Sequence, residues 1–133
     1  MTTVTPPFQF EYNPGKIVYG RGCISRLGPI LESRGLEHAL IVCGPNVGAN
    51  DDLLDLMREG LGSTLVGVFD ETTPAKDIRT AATGAERIQE NDIDVLICLG
   101  GGSSIDIGRL MCLIAAHDRS FESILKETET TGV

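Results

Sequence analysis

At 133 residues the chain is long enough to bury one core without disulfide or metal staples, and its 41% hydrophobic and 23% charged content suit a globular domain in water. The formal charge of −8, from 19 acidic and 11 basic residues, disfavours nucleic acid and acidic lipid, and no basic cluster interleaved with aromatics offsets it. No apolar run approaches the roughly 18 residues of a membrane span, and the polar opening Met1 to Pro7 is no signal peptide; the expectation is a cytoplasmic protein without a membrane partner. Lys16, Lys76 and Lys126 are the only lysines, and a Lys-poor acidic surface would suit a salt-rich cytoplasm.

Phe8 to Tyr12 alternates apolar with polar, Asn13-Pro14-Gly15 is a turn, and Lys16 to Tyr19 resumes extended structure, which predicts an N-terminal β-hairpin. Gly20-Arg21-Gly22 breaks that strand, and Ile24, Leu27, Ile30 and Leu31 then fall at helical spacing to about Ser33. Ala39 to Cys43 reads as a buried strand ending at Gly44-Pro45-Asn46, and Leu53, Leu54, Met57 and Leu61 mark a helix after it. Thr64 to Phe69 is a third strand, stopped by Asp70. A helix from about Asp77 to Gln89 places Ile78, Ala81, Ala82, Ala85 and Ile88 on one face. Val95 to Leu99 is a short continuous apolar run, the pattern of a strand buried on both faces.

Strands and helices that alternate with short connections make βαβ units. The expected fold is therefore α/β: a Rossmann-like parallel sheet flanked by helices, with right-handed crossovers and the N-terminal hairpin. One domain is expected, with the hairpin and its turn at 1–22, the core at 23–120 and a polar, frayed tail at 121–133. Open sheets of this kind bind ligands beyond the carboxyl ends of their strands. If the Ala39 strand is central, Gly44 and Gly100 to Ser103 flank one crevice, and the loop after Phe69 brings Thr72, Thr73, Pro74 and Lys76 to the same edge. Cys23, Cys43, Cys98 and Cys112 contain no C-x-x-C pair, which argues against a zinc ribbon or a thioredoxin site. They read as small core residues, Cys43 and Cys98 in strands and Cys112 on a buried helix face.

The stretch with the most chemistry is Gly100-Gly101-Gly102-Ser103-Ser104-Ile105-Asp106, directly after the Val95 strand. Its helix is expected to start just beyond the glycines, with Ser103 and Ser104 accepting helix-terminal N–H bonds and Asp106 in or near the first turn. Two readings share these residues. Glycines let an anion approach the backbone, and free N–H groups at the positive end of a helix bind it; alternatively, glycines there only make the turn tight. The stretch is neither G-x-G-x-x-G nor a P-loop, so the generic motifs do not choose between them.

Gly-Gly-Gly-Ser-x-x-Asp after a buried strand resembles the iron-containing alcohol dehydrogenases, relatives of maleylacetate reductase and glycerol dehydrogenase. Tyr19-Gly20-Arg21-Gly22 is similar to that family's opening Phe-Gly-x-Gly segment. The resemblance implies a nucleotide-binding half that holds NADP or NAD, with Gly44, Asn46, Thr72, Thr73, Lys76, Gly100, Gly101, Gly102, Ser103 and Asp106 as candidate contacts. It implies hydride transfer between nicotinamide and a small alcohol or carbonyl, with a divalent metal, iron or zinc, held by a separate helical C-terminal domain. That domain is expected to lie outside this chain, so the chain itself is expected to supply no catalytic or metal-ligating residue. His38 and His117 stand too far apart for H-x-x-x-H and read as structural.

The alternative to such an enzyme half is a non-catalytic nucleotide-binding module, or one part of a split enzyme. A homo-oligomer or a C-terminal partner domain would cover an apolar face. Two departures fall at the ribose end. Gly44 stands where the family commonly has an aspartate that repels a 2′-phosphate, and Pro74-Ala75-Lys76 replaces a Pro-Asn-Pro loop. Both lean toward NADP or dual use, with Lys76 either a point charge for a 2′-phosphate or a solvated loop residue. Asp106 either belongs to the phosphate site or stabilises the helix start, and Arg109 stands where the family often has lysine.

Overall fold

The computed structural model describes residues 15–117 together with Ser123 and Lys126. Strands β1 (Ala39–Val42), β2 (Leu65–Phe69) and β3 (Val95–Cys98) form a parallel sheet in the order β2-β1-β3. The helices are α1 (Leu27–Ser33), entered through a 3-10 turn at Cys23–Arg26, the short α2 (Pro45–Gly48), α3 (Asp51–Leu61), α4 (Ile78–Glu90) and α5 (Gly102–His117). Helix starts follow from local chemistry. Asn50 accepts from the Leu53 N–H at 3.1 Å to cap α3, and Asp77 accepts from the Arg79 N–H at 2.8 Å to cap α4. Gly62, at φ 56°, ends α3 in a left-handed step that a side chain would resist.

The centre of the sheet is β1, whose four residues are all buried. Successive side chains of a strand point to opposite faces, and the two cores divide accordingly. Ala39, Ile41 and Cys43 pack with Leu31, Leu54, Met57 and Leu61 of α1 and α3. Leu40 and Val42 pack with Phe69, Ala81, Ala85, Ile107 and Met111 on the α4 and α5 side. The chain passes from β1 to β2 through α3 on one face, and from β2 across to β3 through α4 on the other. Right-handed crossovers running in opposite directions require helices on opposite faces, which makes the β1–β3 boundary the switch point of the sheet.

The amino end of the sheet is fastened by Asp94. Its carboxylate accepts from the Glu37 and His38 N–H groups, each at 2.9 Å, while the Asp94 N–H donates to the His38 carbonyl at 3.0 Å. Those two donors, Glu37 first and then His38, hold the Asp94 carboxyl below the usual carboxylate range. A carboxyl depressed by folding contributes stability at neutral pH and loses it as pH falls through its folded-state value. Asp94→Asn is therefore expected to lower the urea midpoint at pH 7 and to converge with the parent protein on acidification. Parallel midpoint curves across that acid range would contradict the assignment.

The α/β expectation and the strand order with β1 central both hold. Several details differ. In β3 only Ile97 is buried, because the strand is at the edge of the described sheet and its sides are open there. On α4, Ala82 is exposed and Ile78 is 39% exposed; Ala81, Gly84 and Ala85 form the buried stripe. Gly84 belongs to it because a Cβ there would fall 2.6 Å from the Met111 sulfur, so α4 and α5 meet with no room for a side chain. Cys112 is exposed, one position off the buried stripe Ile107, Gly108, Met111 and Ile114. Lys16 to Tyr19 form no strand, and Ile17 and Tyr19 are almost fully exposed; the other arm of the expected hairpin, Phe8 to Tyr12, lies outside the described residues. The expected 121–133 tail also lies outside them, Ser123 and Lys126 apart. No helix among the described residues is long and apolar enough to cross a membrane.

Candidate functional site

The carboxyl ends of the three strands are tied together by backbone bonds that continue past the strands themselves. The Cys43 N–H donates to Phe69 O at 2.9 Å, Thr72 N–H to Cys43 O at 3.2 Å and Leu99 N–H to Val42 O at 2.9 Å. These bonds bring three connecting segments to one edge: Gly44 with α2, the 70–77 loop, and the turn from β3 into α5. All the expected contact residues belong to these segments except Asp106, which follows on α5.

The β3–α5 turn is made by Gly100 alone, at φ 122°, a conformation that a side chain rarely adopts. Gly101 and Gly102 differ from it. Neither has a positive φ, and a Cβ on either would meet nothing within 4 Å. The turn therefore does not require them to be glycine, and they leave the backbone bare toward open space. Helix α5 begins at Gly102, inside the glycine run rather than beyond it, and its first bond is from the Ile105 N–H to Gly101 O. The N–H groups of Gly102, Ser103 and Ser104 thus precede any intrahelical acceptor and carry the positive end of a 16-residue helix.

The serines do not cap this helix. The Ser104 hydroxyl lies 3.3 Å from Thr72 Oγ1, and both residues are buried, at 4% and 3% exposure. Asp106 stands beyond the first turn and turns sideways, where its carboxylate accepts from Lys76 Nζ at 2.7 Å. Lys76 reaches it from a left-handed backbone, φ 52°, with its N–H donated to Thr73 O to close the loop. The Lys76 hydrogen bond, then its charge, and more weakly Arg109 hold the Asp106 carboxyl below the usual range. Both ends of this ion pair are about half exposed, so it steers the loop more than it stabilises the fold.

Gly44, extended at φ −82°, lies against the Thr72 carbonyl: a Cβ there would come within 3.2 Å of that oxygen. Asn46 is exposed on α2 and Thr73 is exposed on the loop. Asp70, at the end of β2, fills the place of a Gly48 side chain, its carboxylate 2.8 Å from where that Cβ would be. Burial, and secondarily the Asp70 charge, push the Cys43 thiol up, so it stays protonated and is no nucleophile. The structure thus brings Gly44, Thr72, Lys76, Gly100, Ser103 and Asp106 to one edge. Two further participants, Ser104 and Asp70, were expected only as a helix cap and a strand stop and not as site residues. Ser104 was legible as the first position of the stripe Ser104, Ile107, Met111 and Ile114; the sequence marks Asp70 only as the end of a strand.

A broad cleft at the opposite end of the sheet is lined by Glu32, Glu37, His38, Gly60 and Thr64. Two glutamates on its wall make it hostile to a pyrophosphate. His38 stands there with its Nδ1 3.9 Å from the Asp94 carboxylate, and His117 ends α5. Among the described residues no three His, Cys, Asp or Glu side chains converge on a point where a metal ion would sit. The described residues therefore do not fit a metal.

Comparison with known proteins places this geometry in context. The family model described as iron-containing alcohol dehydrogenase matches residues 14–132. Long-chain-alcohol dehydrogenase 1 of Geobacillus thermodenitrificans is 27% identical over 114 residues, which are 84% of this chain and 28% of that protein. An archaeal halo-thermophilic alcohol dehydrogenase from a Red Sea brine pool has a solved structure that superposes with a TM-score of 0.68 at 27% identity, covering 87% of this chain and 30% of that one. The fold alone is shared with sulfoacetaldehyde reductase from Bifidobacterium kashiwanohense, solved in complex with NAD+, at a TM-score of 0.77 and 23% identity over 88% of this chain and 31% of that one. The chain spans less than a third of the length of these relatives.

Proposed function

This chain belongs to the iron-containing alcohol dehydrogenase family, and on that premise we propose that it holds NADP or NAD at the β1–β3 switch point, as the nucleotide half of a dehydrogenase. In that role it serves hydride transfer between nicotinamide and a small alcohol or carbonyl. One observation carries the reading: Gly101 and Gly102 are bare where the fold has no steric need of glycine, and they face outward at the start of α5. Free amides there donate to a pyrophosphate without a side chain in between, and the helix dipole adds to the attraction. Ser103, half-buried in the first turn, adds a hydroxyl donor. The same reading sets the protein in the cytoplasm, on the strength of the free thiols at Cys23, Cys43, Cys98 and Cys112.

At the ribose end, Gly44 offers no carboxylate to repel a 2′-phosphate, which favours use of NADP beside NAD. Lys76, on the 70–77 loop of the same edge, is a cation for a 2′-phosphate, and it meets one in exchange for its bond to Asp106. The exchange limits its gain. Lys76→Met is expected to weaken NADPH binding about threefold while leaving NADH nearly unchanged, the scale of an exposed ion pair. Titration of both nucleotides into the parent protein and the variant, followed by nicotinamide fluorescence, tests the reading. Saturable binding of neither nucleotide by the folded parent protein would overturn it, and equal losses for the two would remove Lys76 from the ribose end.

A further inference from the structure

Thr72 and Ser104 are the buried polar side chains of the described residues, and they are bonded to each other across 32 positions of sequence. Each is also tied into a different part of the edge. The Thr72 N–H is donated to Cys43 O at the end of β1, and its carbonyl lies against Gly44. Ser104 Oγ lies 3.4 Å from where a Gly100 side chain would start, directly under the left-handed step that ends β3. One hydroxyl contact therefore joins the β1 end, the 70–77 loop and the glycine turn. The other tie between that loop and α5, Lys76 to Asp106, is half exposed and open to exchange with salt or ligand.

We propose that Thr72 and Ser104 are a positioning pair: their buried hydroxyl contact sets the glycine turn at a fixed height against the β1 end, so that the amides of Gly101 to Ser103 are aimed before a ligand arrives. Thr72, expected from sequence to touch the ligand, instead acts through the turn. Its consequence for nucleotide binding rests on the function proposed above; its consequence for the turn does not. A polar pair at this depth is costly to break on one side only, because the remaining hydroxyl is left without a partner.

The test uses Thr72→Val, which keeps the shape and removes the hydroxyl, Thr72→Ser, which restores it, Ser104→Ala and the Thr72→Val/Ser104→Ala double variant. Backbone 15N order parameters of Gly100 to Ser103 are measured without nucleotide, and NADPH and NADH affinities are measured on the same samples. In the parent protein and in Thr72→Ser the turn is expected to be rigid, with order parameters near about 0.85, falling toward about 0.6 in Thr72→Val and in Ser104→Ala. Nucleotide binding weakens about fivefold in each single variant, and the double variant is no worse than either, since both remove the same contact. Unchanged order parameters in the single variants overturn the pair, whatever binding does. A turn that loosens in a protein whose parent form binds neither nucleotide upholds the pair and overturns the nucleotide reading instead. Should Thr72→Val fail to fold, Ser104→Ala carries both readouts alone.

Discussion

Phe69→Ala is expected to lower the unfolding free energy by about 3–5 kcal/mol, the usual range for truncating a buried aromatic. Phe69 is fully buried as the last residue of β2, and it packs with Leu40 and Val42 of β1 and with Ala81, Ile107 and Met111 of α4 and α5. Its neighbours come from three elements, so they cannot close on the gap without moving the sheet or a helix. Against the roughly 5–15 kcal/mol of a whole domain, such a loss leaves a marginal protein. Equilibrium urea unfolding measures it. A loss under about 1 kcal/mol would mean that Met111, the flexible member of this core, fills the space.

Gly102→Val is expected to do the reverse, leaving stability within about 0.5 kcal/mol of the parent while weakening binding of either nucleotide on the order of a hundredfold. The position lies in the first turn of α5 with a backbone that accepts a side chain, and nothing in the described structure occupies the space that the side chain would enter. A branched side chain there stands between the helix amides and a phosphate, and two charge-assisted bonds are lost or lengthened. Gly100→Val is the useful contrast. At φ 122° it strains the turn itself, and unfolding should detect it. If Gly102→Val binds NADPH and NADH as the parent does, these glycines serve the turn and not a ligand.

The sheet was legible because β1 and β2 are short apolar runs stopped by Gly44 and Asp70, and α3 carries a clean stripe of Leu54, Met57 and Leu61. Burial is less legible than order. Val95 to Leu99 is as apolar as Ala39 to Cys43, yet one is an edge and the other the centre, and only pairing decides which. On α4 the apolar residues Ile78 and Ala82 face out while Gly84 faces in, because the approach of Met111 selects for small volume and not for hydrophobicity. At the candidate site, the glycine run marked the β3–α5 turn. It could not separate Gly100, which bends the chain, from Gly101 and Gly102, which do not, because that difference is one of φ and of neighbours. The Thr72–Ser104 contact escaped for a similar reason. Hydroxyls 32 positions apart meet only once the strand order is known.

The two ends of β3 have different work to do. At one end the Asp94 carboxylate gathers the Glu37 and His38 amides; at the other, the first amides of α5 are left without an intrahelical acceptor. A four-residue strand rising about 3.3 Å per residue separates them by more than the roughly 8 Å over which exposed charges feel one another at physiological salt. The chain is thereby electrostatically insulated along its strands. Acidic residues can accumulate around Glu32, Glu37 and Asp94 without taxing affinity for a negatively charged ligand at the far rim. For protein engineering this means two independent dials, charge at the amino end and cofactor grip at the carboxyl end, each adjustable without retuning the other.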